Sequence, residues 1–154
     1  MNVLKSCAAA LLAITSLASI EAARCVPDKA LEANEALAGD ALDAFFNKRD
    51  VSAVDKYIGA EYLQHNPGVK DGPGELKSFI EMFPSDSKFE LGTQVAQGDL
   101  VWTHGRYTGI PGLNPMIIVD IFRVKDGKLV EHWDIAQEEV TQTASGRPMF
   151  PIGA

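Results

Sequence analysis

The sequence is short of the residues that build crosslinks, metal centres and cationic surfaces. Its 154 residues include two cysteines and three histidines, and 14 lysines and arginines stand against 21 aspartates and glutamates. The resulting net charge of −7 argues against nucleic acid or an anionic membrane as a partner, since both need a cationic face. The histidines, His65, His104 and His132, show no paired spacing and have no cysteine to assist them, so no metal site is expected. A Gly-rich phosphate loop and a nucleophile elbow are both missing. So is an apolar run of the roughly 20 residues that a bilayer span needs.

The longest apolar run is "CAAALLAITSLASI", 14 residues after Lys5, followed by the small-residue exit "EAARC". A basic start, a short apolar core and small residues at Ala22 and Ala23 predict a signal peptide over 1–22, with an uncleaved anchor as the alternative. The mature protein would then be secreted or periplasmic, with no membrane association after processing. Cleavage removes one lysine and one glutamate and leaves the charge at −7. It also removes Cys7, so Cys25 has no partner for an internal disulfide.

One domain is expected over 28–140, with a weakly patterned tail over 141–154. Leu37/Ala41/Phe45 and Ala38/Leu42/Phe46 recur at i, i+4 and predict a helix from Asp28 to Lys48. Asp50 caps a second helix, with Gly59 as its stop, and "EYLQHNPG" reads as a short strand entering a turn. A third helix runs from Glu75 to about Phe83, before Pro84. Then the period becomes that of strands: "KFELGTQVAQ", "LVWTHGRYTG", "MIIVDIFRV" and "KLVEHWDIAQEEV". Helices followed by strands give an α+β fold, three helices packed on a curved, mostly antiparallel sheet that leaves a cone with an open mouth.

Within "PMIIVDIFRV" a single carboxyl group, Asp120, interrupts a run of large apolar side chains. "DG" at Asp126-Gly127 predicts a two-residue type I′ turn, which pairs Asp120 with Trp133, Phe122 with Glu131 and Ile118 with Ile135. A bulged loop would shift the register by one and replace Trp133 with His132. With the two-residue turn, Ile118, Asp120, Phe122 and Trp133 share the apolar face. Such a carboxyl group is suited to proton transfer or to donating a hydrogen bond to a substrate oxygen; the structural alternative is an Asp paired with Arg106 or a backbone amide. His65, at the end of the short strand, and His104, mid-strand, are weaker candidates. His132 and Asp134 in "EHWD" read as residues that bridge a strand to a helix or to another subunit.

"YLQHNPGVKDGPGELKSFIEMF", "VAQGDLVWTHGRYTG" and "IVDIFRVKDGKLVEHWDIAQ" resemble the SnoaL-like polyketide cyclase family, in the nuclear-transport-factor-2-like (NTF2-like) superfamily. The resemblance spans roughly Leu31 to Glu139. It implies the same cone, a homodimer, and acid/base chemistry without a cofactor, such as aldol cyclisation or isomerisation of a small apolar carbonyl compound. Asp120 inherits the catalytic aspartate's role, with His65 and His104 as partners and Trp133, Phe122, Asn66 and Ile118 as substrate contacts. Ketosteroid isomerase, of the same superfamily, has a similar aspartate strand. This chain departs from it at Leu42, in place of a tyrosine, and at Asn66 or His65, in place of its base. An exported, non-catalytic module holding an apolar ligand in the cone is the alternative.

Overall fold

A computed structural model describes residues 29–151. The expected signal peptide and Cys25 lie outside the described residues. Helix α1 (Lys29–Leu42) buries Ala38, Ala41 and Leu42, the stripe expected from its spacing. It then widens into a π turn over Asp43–Asn47, where Lys48 N bonds Asp43 O at 3.0 Å. The wider turn brings the consecutive residues Ala44, Phe45 and Phe46 into the core. At its end the Asn47 side chain acts as one more strand partner: Nδ2 donates to Phe89 O (3.0 Å) and Oδ1 accepts from Phe89 N (2.8 Å).

Helix α2 (Ala53–Tyr57) is short. Asp50 Oδ1 accepts from Ser52 N (3.0 Å) and Ala53 N (3.3 Å), satisfying donors that a helix start leaves free. The helix ends at Tyr57, before the expected stop at Gly59, because strand β1 (Ile58–Gln64) has already begun. Gly59 lies inside that strand, where a Cβ would sit 2.8 Å from Val130 Cγ1; its role is close approach to a neighbour rather than helix termination. Helix α3 (Pro73–Glu81) opens on Pro73, whose missing N–H costs nothing in a first turn.

The remaining strands are β2 (Lys88–Gln97), β3 (Leu100–Thr108), β4 (Met116–Lys125) and β5 (Lys128–Glu138). They form one five-stranded sheet in the order β1-β5-β4-β3-β2, antiparallel except for the parallel β1–β5 pair. The helices cover one face. Phe45, Phe46, Tyr57, Leu76, Ile80 and Phe83 meet Val101, Tyr107, Phe122 and Leu129 of the sheet in a single core. The ring of Phe46 stands edge-on, 5.1 Å from both Phe83 and Tyr107, which pins Tyr107 from the helix side. The α+β cone expected from the sequence is therefore the fold.

The hairpin register differs from the expectation. Asp126 and Gly127 do form a two-residue turn with φ of 52° and 69°, and Val124 and Lys125 pair with Leu129 and Lys128. One step further Arg123 pairs with Glu131, so Val130 is an extra residue in β5. From there on Asp120 faces Asp134, Phe122 faces His132, Ile118 faces Ala136, and Trp133 faces Ile121 on the outer side. Because side chains alternate with a period of 2, this one extra residue exchanges the two faces of β5.

Glycine matters again at Gly105, in the inward row of β3, where a Cβ would lie 2.4 Å from the ring of the buried Phe89. Phe89 in turn rests on Tyr107, their ring centroids 4.9 Å apart. Gly105→Ala is expected to cost about 1–3 kcal/mol through this overlap, read as a lower urea midpoint with an unchanged slope.

Candidate active site

Strands β4, β5 and β1 supply most of the polar wall of the cone, and β3 adds Tyr107. On β4, Asp120 is 5% exposed and points inward between Ile118 and Phe122. On β5 the bulge turns His132, 9% exposed, and Asp134 to the same side. On β1 and the turn after it, alternation directs Tyr62, Gln64 and Asn66 inward while Leu63 and His65 point out. The opposite wall is apolar, formed by Leu42, Phe45, Phe46, Leu76, Phe79 and Phe83. Together they enclose a cavity of about 90 Å³, several times the space that one water needs.

A buried carboxyl group must be hydrogen-bonded, and Asp120 is. Tyr107 donates its hydroxyl proton to Asp120 Oδ2 at 2.7 Å, and Thr103 Oγ1 lies 3.4 Å from the same oxygen. Asp120 Oδ1 meets His132 Nε2 at 3.1 Å. The other ring nitrogen, Nδ1, lies 2.8 Å from Gln64 Oε1. Asn66 donates its side-chain amide to Asp134 Oδ2. Burial, and then the charge of Asp120, holds the phenol groups of Tyr107 and Tyr62 well above their ordinary range, so both remain protonated donors. Tyr107 spends its proton on Asp120, whereas the Tyr62 hydroxyl, in the cavity wall, has no hydrogen-bond partner among the described residues.

Of the residues expected at the site, Asp120, Phe122, Asn66 and Ile118 line the cavity. His65, His104 and Trp133 do not. His65 follows β1 with its side chain outward, where it stacks on Trp133 (ring centroids 4.7 Å apart, planes at 6°) and meets Glu131 at 3.0 Å. Trp133 is on that face because of the bulge. His104 shares the outer face of β3 with Trp102 and Arg106, and Phe150 of the tail covers it at a centroid distance of 5.6 Å. The inward row of that strand is Val101, Thr103, Gly105 and Tyr107. Arg106, offered as a partner for Asp120, binds Glu139 and Glu90 instead.

His132, Asp134, Tyr62, Gln64 and Tyr107 were not among the expected site residues. The alternation Tyr62, Gln64, Asn66 in "YLQHN" was a usable signal, since three hydrogen-bonding groups recur there at strand spacing. The donor atoms of Asp120, His132 and Asp134 lie within 4.8 Å of one another, close enough to gather round a small cation. Asp120 and His132 bond each other, Asp134 Oδ2 is held by Asn66, and as a set they gather two carboxyl groups and an imidazole at one wall of the cavity.

Residues 40–132 match the SnoaL-like domain, and the chain belongs to that family. No curated protein matches it. Among solved structures it is similar to a protein of Acidithiobacillus ferrooxidans provisionally assigned as a polyketide cyclase, with TM-score 0.60, 21% identity, and coverage of 68% of this chain and 87% of that one. A provisionally assigned ketosteroid isomerase of Kribbella flavida gives TM-score 0.61 at 20% identity, covering 70% and 80%. An epoxide hydrolase of M. tuberculosis gives 0.57 at 19% identity, covering 70% and 85%. At these identities the likeness establishes the NTF2-like fold and leaves the chemistry to be read from the cavity.

Tyr107→Phe deletes the shortest hydrogen bond to a buried carboxyl group. It is expected to lower unfolding free energy by about 1.5–3 kcal/mol, measured by chemical denaturation, with the fold retained.

Proposed function

We propose that the protein is an acid/base enzyme that works without a cofactor on a small, uncharged carbonyl compound held in the cone. The supporting observation is the site of Asp120: a carboxyl group 5% exposed, hydrogen-bonded by Tyr107 and His132, facing a cavity whose other wall is aromatic and aliphatic. The cavity lining contains two aspartates and no lysine or arginine, so it repels carboxylate and phosphate substrates and accepts neutral ones.

The chemistry that fits is removal of a proton alpha to a carbonyl. The free hydroxyl of Tyr62 is a donor for the carbonyl oxygen as negative charge develops there. Phe122 and Ile118 set the shape of the cavity beside Asp120, and Asn66 fixes the position of Asp134. The resulting enolate either attacks a second carbonyl of the same molecule, closing a ring, or is reprotonated elsewhere as an isomer. The apolar wall keeps competing water away from this reactive species. The N-terminal pattern of residues 1–22 supports export, and family resemblance supports a homodimer.

The test is loss of α-deuterium from a panel of small cyclic and acyclic diketones. Wild type is expected to accelerate exchange for at least one member, and Asp120→Asn to slow it by about 100-fold or more. His65→Ala and His104→Ala should leave the rate unchanged. If wild type exchanges no faster than buffer across the panel, the enzyme reading fails and the cone is a binding module.

A further inference from the structure

The hydrogen bonds behind the cavity wall locate a proton. The backbone N–H of Asn66 points at Gln64 Oε1, 3.0 Å away. A backbone N–H only donates, so this bond decides which end of the Gln64 amide is the oxygen. The same Oε1 lies 2.8 Å from His132 Nδ1. An amide oxygen only accepts, so Nδ1 must carry hydrogen. In a neutral imidazole that leaves Nε2 with a bare lone pair. Nε2, however, faces Asp120 Oδ1 at 3.1 Å. A lone pair aimed at a carboxylate oxygen is repulsive at that distance, so the contact requires a proton between them. Tyr107 cannot supply it, since its proton already lies on Oδ2 and burial keeps that phenol protonated.

Asp134 is placed differently. It stands directly opposite Asp120 in the β4–β5 ladder and lines the same cavity. Asn66 holds its Oδ2, and its Oδ1 has no hydrogen-bond partner among the described residues. One carboxyl group is thus tied into a proton-bearing pair, while the other keeps an oxygen with no protein partner in the wall of the cavity.

We infer that Asp120 and His132 share one proton and together form the acid of the site, and that Asp134 is its base. This division of labour rests on the acid/base reading above. The steps balance without any further reactant. Asp134 takes the α-proton; the C–H pair becomes the C=C bond of an enol, and the carbonyl oxygen takes the proton from the Asp120–His132 pair. The pair is left as carboxylate and neutral imidazole, and Asp134 as the carboxylic acid. When the enol carbon attacks a second carbonyl, a C–C bond forms. The enol O–H proton returns to the pair, and the new alkoxide oxygen takes the proton from Asp134. In an isomerisation Asp134 returns its proton to a different carbon. Gln64 and Asn66 are positioning residues, the first for the His132 tautomer and the second for Asp134.

Two measurements test this. Long-range ¹H–¹⁵N spectra of the ¹⁵N-labelled protein, with His132 assigned by comparison with His132→Gln, should show a protonated Nδ1. In Gln64→Leu that preference should be lost. A bare Nδ1 with hydrogen on Nε2 in the wild type would mean an ordinary histidine donating to an ionised carboxylate, and would overturn the shared proton whatever the activity. In the deuterium-exchange assay Asp134→Asn, nearly isosteric and checked for folding by its thermal melt, should lose about 100-fold or more. If Asp134→Asn exchanges like wild type while Asp120→Asn does not, the base assignment fails and the acid/base function stands. If the Asp134→Asn chain does not fold, Asn66→Leu takes its place and should lower exchange through the freed Asp134; wild-type exchange in that variant counts against the assignment.

Discussion

A single unpaired residue, Val130, decides which side chains share a cavity with Asp120. The Asp126-Gly127 turn sets one register for the β4–β5 hairpin, and the bulge resets it two pairs later. Without it the indole of Trp133 would face inward and His132 would point outward. With it, imidazole and carboxyl group meet at 3.1 Å, and Asp134 comes to stand opposite Asp120. The bulge also curves the strand against β1, where Gly59 leaves room for the Val130 side chain. One extra backbone residue thus selects which side chains of β5 face the cavity.

The same shift governs how charge is tolerated inside the cone. Burial of an isolated carboxylate costs several kcal/mol, and only hydrogen bonding or pairing offsets it. Tyr107, Thr103 and His132 surround Asp120, and Tyr107 is itself fixed between Phe46 and Phe89. The cations of the sheet are used on the outside. Arg123 binds Asp99 and Glu131, and Arg106 binds Glu90 and Glu139. The hydrogen bond from Arg123, helped by His65, holds the Glu131 carboxyl below its usual range. Inside, the polar wall relies on phenol, amide and imidazole, groups that can exchange protons or orient them, where a guanidinium would only lock the carboxyl groups in place.

Much of this architecture was legible in the sequence. The i, i+4 stripe from Leu37 to Phe46 marked the buried face of the first helix, and the four strands after Pro84 followed from alternation and Gly/Asp turns. Asp120 stood out because a carboxyl group among Ile, Val and Phe needs an explanation. Its neighbours were harder to read. Alternation assigns residues to a face only while the register is known, and Val130 looks like any strand residue until its partner is seen. That is why Trp133 falls on the outer face and His132, within "EHWD", on the inner one. For His104 the strand alone gave no sign of which row looked inward; the deciding facts are Phe89 over Gly105 and Phe150 over the imidazole, contacts between residues far apart in the chain.

The cone assembled in this way has two walls with separate tasks. The helices provide the rings and branched side chains of the apolar wall. The strands provide a rigid row of proton donors and acceptors, and rigidity matters more there, because a proton moves only between groups already at hydrogen-bond distance. Placing Asp120 on one strand and His132 and Asp134 on the next ties their separation to the ladder itself.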